Sequence, residues 1–225
     1  MSSAATRRQG PGRPRHIEPL DDHLTPREQI LGAAARLFTR QGFAATSTRM
    51  IAEEVGIRQA SLYYHFTGKD DILGELLERT VRPTLDSLDK LDQQSATPEA
   101  RLYMLALRDA RVLAELDHNI GTLPTHPDVT NTDVYQEYEA ARQQLRAAYG
   151  RLGIACASEV VISTVTQHQL GWMIFQQVEG VVRARAEDGG KVVPERDLRA
   201  VAATCLRICG VAEDRAEAAA VPPSH

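Results

Sequence analysis

The chain predicts an all-α fold, and three observations predict it. Apolar residues recur at three- and four-residue spacing along most of the 225 residues. No segment alternates with period two over a useful length. Threonine, serine and proline stand just ahead of these stripes and glycine just behind them, which marks helix starts and stops. Nine or ten helices are expected, divided as a flexible arm (1–23), a small helical head (24–70), a larger helical body (71–210) and a disordered tail (211–225).

Residues 1–23 are rich in Gly, Pro, Ser and Arg and carry no apolar stripe, so they read as an arm. The first helix opens at Thr25-Pro26-Arg27-Glu28, with threonine as cap, proline at the first helical position and Glu28 completing a capping box. Ile30, Ala34, Leu37 and Phe38 form its inner face, and Gly42 stops it. Two short helices follow, over residues 48–55 and 58–66, joined by a tight turn at Gly56 that tolerates positive φ. Ile51, Val55, Leu62 and Phe66 point inward. The next helix begins at Lys69 and carries Ile72, Leu73, Leu76, Leu77, Thr80 and Val81. Pro83 is expected to kink or interrupt it, with Leu85, Leu88 and Leu91 continuing the stripe.

The body continues in the same pattern. Pro98 starts a helix through Leu102, Leu105, Ala106 and Leu113, and residues 119–131 read as a loop or broken helix. A helix from Thr132 to about Leu152 carries Tyr135, Tyr138, Leu145 and Tyr149. Ser158 is expected to cap one long helix through Val165, Trp172 and Val178. Pro194 opens a last helix through Leu198, Val201 and Leu206, and the alanine-rich end reads as frayed.

The outward face of the helix after Gly56 holds Arg58, Gln59, Ser61, Tyr63, Tyr64 and His65. It is polar, aromatic and rich in donors, as a helix lying in a DNA major groove requires. The stretch GFAATSTRMIAEEVGIRQASLYYHFTGK, with the LFTRQGF ending before it and GKDDIL after it, resembles the DNA-binding domain of the TetR family of bacterial repressors. The resemblance covers roughly residues 25–80. It implies a dimer that binds double-stranded operator DNA. Arg58, Gln59 and Ala60 would open the recognition helix near base edges, with Tyr64 as a further groove contact. Ser47, Thr48 and Arg49 lie at the start of the preceding helix, where hydroxyls and backbone N–H groups suit phosphate. Tyr63, His65 and Lys69 look like the phosphate-clamping positions of the family. Gly68 departs from the serine or asparagine common there and weakens the next helix cap.

Charge distribution agrees. Residues 1–69 hold ten Lys+Arg against six Asp+Glu, although the whole chain has a net charge of −4. A basic module on an acidic body suits a DNA-binding head on a partner-binding domain. In the arm, the Gly12-Arg13-Pro14 core, followed by Arg15, looks like the minor-groove insert of AT-hook peptides. The alternative is a basic tail with only phosphate attraction.

In this family the two C-terminal helices pair with their copies. Gly171, Gly180, Ala184 and Ala202 would permit that approach here. Tyr103, Met104, Leu107, His118, Tyr135, Tyr138, His168, Trp172 and Met173 either line a site for a small-molecule effector or pack in the core and the dimer seam. No metal-ligand spacing joins His118, His126 and His168, and none joins Cys156, Cys205 and Cys209, which read as buried small apolar groups, with a thiol sensor as the alternative. No cofactor is expected. No nucleophile elbow, phosphate-binding glycine loop or zinc-protease motif occurs, so an enzyme is not expected. The absence of a signal peptide or spanning segment predicts a cytoplasmic protein without a membrane partner. The reading is a ligand-released repressor on a palindromic operator. A constitutive or architectural DNA-binding protein is the alternative.

Overall fold

The computed structural model describes residues 24–93 and 96–220, and there it contains twelve α-helices, one 3₁₀ segment and no strand. The head is α1 (Pro26–Gln41), α2 (Thr48–Val55) and α3 (Gln59–His65). Helix α4 (Lys69–Leu85) leads out of it, followed by α5 (Leu88–Gln93) and α6 (Pro98–Glu115). The 3₁₀ segment Asp117–Thr125 and α7 (Pro127–Thr130) precede α8 (Asp133–Cys156) and α9 (Glu159–Thr164). The body closes with α10 (Gln167–Glu187), α11 (Glu195–Ile208) and α12 (Glu213–Ala220). The expected all-α class is therefore found, with more and shorter helices than nine or ten.

Local chemistry explains the head. Thr25 and Glu28 form the expected reciprocal cap of α1. Gly56 ends α2 at φ 81°, a left-handed position where a Cβ would be strained. Phe38, Ile51, Leu62 and Phe66 are all at most 2 % exposed, and each such burial stabilises by roughly 1.5–3 kcal/mol. Phe43 meets Phe38 edge-on with ring centroids 5.1 Å apart. Gly68 supplies no side-chain cap to α4. Asp71 compensates just upstream by accepting from Thr67 N at 2.9 Å.

Three expectations need correction. Pro83 does not interrupt α4 where it stands. The helix runs through it to Leu85, two residues later, at the cost of the hydrogen bond that an N–H at position 83 would have given to the Arg79 carbonyl. Arg108 then donates to the Pro83 carbonyl from Nε at 3.1 Å and Nη2 at 3.0 Å, securing this end of α4 to α6. Ser158 caps only the short α9. A second capping box, Thr166 with Gln169, restarts the chain as α10. Residues 213–220 are not a frayed tail but α12, whose Ala216 and Ala219 lie buried and whose Arg215 pairs with buried Glu99 on α6.

Helices α8 and α10 form the spine of the body. A Cβ at Gly171 would press into the Arg146 carbonyl and lie 2.8 Å from Gly150 N, so this glycine sets the crossing distance of the two helices. Across the same seam Arg142 reaches Glu179 at 2.5 Å and stacks over the Phe175 ring at 4.9 Å.

Candidate functional site

The exposed face of α3 is built on one buried leucine. Leu62 is fully buried, while Arg58, Gln59, Ala60, Ser61, Tyr63 and Tyr64 are exposed and His65 is half-buried. Tyr64 is 86 % exposed, far beyond what a packed aromatic shows, and it meets His65 edge-on. A hydrogen-bonded junction sets this face relative to α2. Thr48 Oγ1 accepts from Gln59 Nε2 at 3.0 Å and shares a hydrogen bond with the Tyr63 hydroxyl at 3.2 Å. Arg49 lies beside it, exposed and paired along its own helix with Glu53 at 2.9 Å. Ser47 caps α2 by accepting from Met50 N at 3.2 Å.

The structure thus joins Thr48, Gln59 and Tyr63 directly, with Ser47 and Arg49 next to Thr48 in the chain and Tyr64 next to Tyr63. Lys69 is the residue whose surroundings differ most from a free cation. Its Nζ donates to Phe43 O at 3.0 Å and Thr46 O at 3.2 Å and lies 4.2 Å from the Phe43 ring centre. Two of its three donors therefore pin the loop between α1 and α2, and one is left to point elsewhere. Arg13 and Arg15 lie outside the described residues.

The nine candidate pocket residues fall into four places. Tyr103, Met104 and Leu107 line a groove of about 480 Å³ between α6, α11 and α12, rimmed by Arg111, Arg199 and Arg215. His118 faces a cleft between head and body. His168, Trp172 and Met173 lie exposed on α10, where His168 borders a shallow hollow against α8. Tyr135 and Tyr138 meet with ring centroids 5.8 Å apart at the junction of α4 and α8, and only Tyr138 is buried.

Tyr138 belongs to a buried polar cluster that was not anticipated. Asp109 on α6 is 2 % exposed and accepts from Tyr149 of α8 at 2.8 Å and from Thr84 of α4 at 3.0 Å. Thr80 of α4 donates to the Tyr138 hydroxyl at 3.3 Å, and Arg142 with Glu179 closes the cluster from α8 and α10. Burial pushes the Asp109 carboxyl up to about 7, against the two hydroxyl donors that favour its ionised form. Burial likewise raises Tyr138 and Glu179. The cavity left among these side chains is about 10 Å³, so the cluster is packed. Its sequence signal was a polar residue in an apolar phase: Leu102, Leu105, Ala106, Asp109 and Leu113 share one helical stripe.

Besides α4, a direct contact ties head to body. Asp128, in the first turn of α7, accepts from Ala44 N at 2.7 Å. On α10, Trp172 and Met173 are 50 % and 42 % exposed, and a Cβ at Gly180 would meet open space. Of the four small residues expected to permit close helix approach, Gly171 and Ala202 are spent inside the protomer, while Gly180 and Ala184 lie on this open face. All three cysteines are free and buried. Among the described residues no group of metal-ligating side chains assembles, and no helix is long and apolar enough to cross a membrane.

Residues 30–76 match the family model described as bacterial regulatory proteins, tetR family. The crystal structure of Mycobacterium smegmatis AmtR is similar over 90 % of this chain and 96 % of that one, with 38 % identity and a TM-score of 0.77. The transcriptional regulator AcrR of Shigella flexneri is 40 % identical over 52 residues, which are 23 % of this chain and 24 % of AcrR. That match therefore spans about a quarter of the relative's length. The nicotine-responsive repressor HdnoR of Paenarthrobacter nicotinovorans is 28 % identical over 132 residues, which are 54 % of this chain and 68 % of HdnoR.

Proposed function

The chain belongs to the TetR family and is a transcriptional regulator, and from that premise we propose that it is a homodimeric repressor of a palindromic operator, released by a small molecule. The observation that carries the DNA reading is the α3 face: six exposed residues over buried Leu62, locked to α2 through Thr48. Arg58 and Gln59 read base edges, guanine for arginine and adenine for glutamine, with Ala60, Ser61 and Tyr64 against the groove wall. Ser47, Thr48, Arg49, Tyr63, His65 and the remaining donor of Lys69 hold phosphates, and Arg13 and Arg15 reach the duplex from the arm. The open α10 face around Trp172, Met173 and Gly180 supports pairing with a second copy.

An effector fits the groove beside Tyr103, Met104 and Leu107, whose volume lies in the range of small-molecule sites. The packed Asp109 cluster, with room for about 10 Å³, favours the second reading, a constitutive regulator whose interior accepts no ligand. Titration of the chain onto its own upstream DNA tests the first part. Arg58→Ala and Gln59→Ala are expected to lose about 1–3 kcal/mol on the operator and little on random DNA. Equal losses on both would remove α3 from the groove. A screen of metabolites for release of that DNA then separates the two readings. Release that Leu107→Trp abolishes supports the groove, and the lack of any releasing compound supports constitutive binding.

A further inference from the structure

Between head and body lies a cleft of about 540 Å³, lined by none of the residues of the α3 face or of the α6–α12 groove. Its head wall is Arg36 and Arg40 of α1 with Glu54 of α2. Its body wall is His118 and Asn119 of the 3₁₀ segment and Arg185 of α10. Three guanidinium groups thus face one carboxylate. Arg36 Nε meets that carboxylate, Glu54, at 3.3 Å. Arg40 is exposed and has no ion-pair partner among the described residues. The further carboxylate nearby, Asp117, acts on both His118 and Arg185.

Arg185 is the informative member. It is 8 % exposed, and it spends Nη1 on the carbonyls of Leu113 at 3.1 Å and Leu116 at 2.8 Å, at the end of α6. Its Nε is buried without a hydrogen-bond partner. So is Oδ1 of Asn119, whose Nδ2 donates to Val182 O at 3.1 Å. A buried unpaired donor and a buried unpaired acceptor thus belong to two residues of one wall of the cleft, and each is costly if nothing answers it. An anion that also carries a hydroxyl answers both, accepting from guanidinium groups and donating to Asn119 Oδ1. Burial and the proximity of Arg36 hold the His118 imidazole below its ordinary pKa, so at neutral pH it adds a neutral hydrogen-bonding group.

We propose that this cleft binds a small phosphate monoester, its phosphate held by Arg36 and Arg40 of the head and Arg185 of the body and a ligand hydroxyl donating to Asn119. Bidentate arginine geometry suits phosphate. The volume exceeds what a bare phosphate ion fills and lies within the usual range for small-molecule sites. A ligand seated there bridges α1 to α10 and braces the head against the body.

Calorimetric titration of the full chain at constant ionic strength tests this, with ribose 5-phosphate, inorganic phosphate and sulfate as probes. Ribose 5-phosphate is expected to bind at one site per protomer and more tightly than either inorganic ion. Arg40→Ala touches no other described side chain by ion pair, so it should fold as the parent does and weaken binding about tenfold, the loss of one charge-assisted contact. Arg36→Gln should do the same, and Arg196→Ala, exposed on α11, should change nothing. No saturable binding of ribose 5-phosphate overturns the site. Equal binding of all three probes reduces it to an ion site and overturns the ester. If random-sequence duplex displaces the probe and Arg40→Ala weakens that duplex equally, the cleft is a DNA backbone contact and the proposal fails.

Discussion

Asp109 makes the stability of the body depend on pH in a direction opposite to that of most carboxylates. Burial lifts its pKa from the ordinary 3.8 to about 7 in the folded chain. Between those values the folded state keeps a proton that the unfolded state has lost. Its stabilising contribution is therefore complete below about pH 4 and is lost as pH rises through 7. Three units of displacement set a ceiling of about 4 kcal/mol per chain, at 1.36 kcal/mol per unit. Over the experimentally convenient window from pH 5 to 8 the expected loss is about 2–3 kcal/mol. Glu179, raised by the same burial, adds to the loss. His118, held neutral, acts in the other direction, because its unfolded form gains a proton as pH falls below about 6.5. The comparison that isolates Asp109 is Asp109→Asn, which keeps the shape and an acceptor for Tyr149 or Thr84 but cannot ionise. Urea unfolding at fixed protein concentration should show the parent losing about 2–3 kcal/mol relative to this variant between pH 5 and 8. Parallel profiles for the two proteins would falsify the assignment of a buried, proton-binding Asp109.

Three further outcomes are expected. Lys69→Ala removes both carbonyl contacts to the α1–α2 loop, so amide exchange at residues 43–47 should accelerate along with any loss of DNA affinity; unchanged exchange would mean that the loop holds itself. Gly171→Ala forces α8 and α10 apart and should cost about 1–3 kcal/mol, read as a lowered Tm, whereas Gly180→Ala faces open space and should raise the isolated protomer's stability by about 0.5–1 kcal/mol through helix propensity. Cys205 is buried with its thiol pushed up to about 12, so alkylation of the native protein at pH 8 should spare it, and rapid labelling would contradict its packing.

Much of the fold was legible because its signals are local. The Thr25 cap, the Gly56 turn and the start of α4 at Lys69 each rest on a few adjacent residues, and each is found where expected. The break at Val165–Thr166 was equally local: Thr166 and Gln169 spell a capping box, overridden by the apolar stripe running on through it. Helix α12 was missed because alanines make a weak stripe until a neighbour such as α6 covers them. The outward residues of α3 were readable, since exposure follows from helical phase around Leu62. The Thr48 junction, the carbonyls on Lys69 and the Asp109 cluster were not. Each joins residues 11 to 58 positions apart, and no periodicity within one helix records which side chain will meet it.

The same long-range contacts decide how the head is held. Helix α4 is anchored at both ends: at Lys69 to the loop that leads into Ser47 and Thr48, and at Thr80 and Thr84 to the cluster around Asp109. Its 17 residues make a rod of roughly 25 Å, so a small change of tilt at the cluster becomes a larger displacement at α2 and α3. Alone, such a rod would let the head swing freely. The bond from Ala44 N to Asp128 and the 3₁₀ segment packed on α1 supply a second support off the rod's axis. Separation of the head from the body at this second support must break the Asp128 contact. A charge-assisted hydrogen bond contributes roughly 1.5–3 kcal/mol. That figure bounds the restraint this one contact places on head movement. A ligand acting on the body displaces the head only if its preference for the displaced state exceeds the restraint it must overcome.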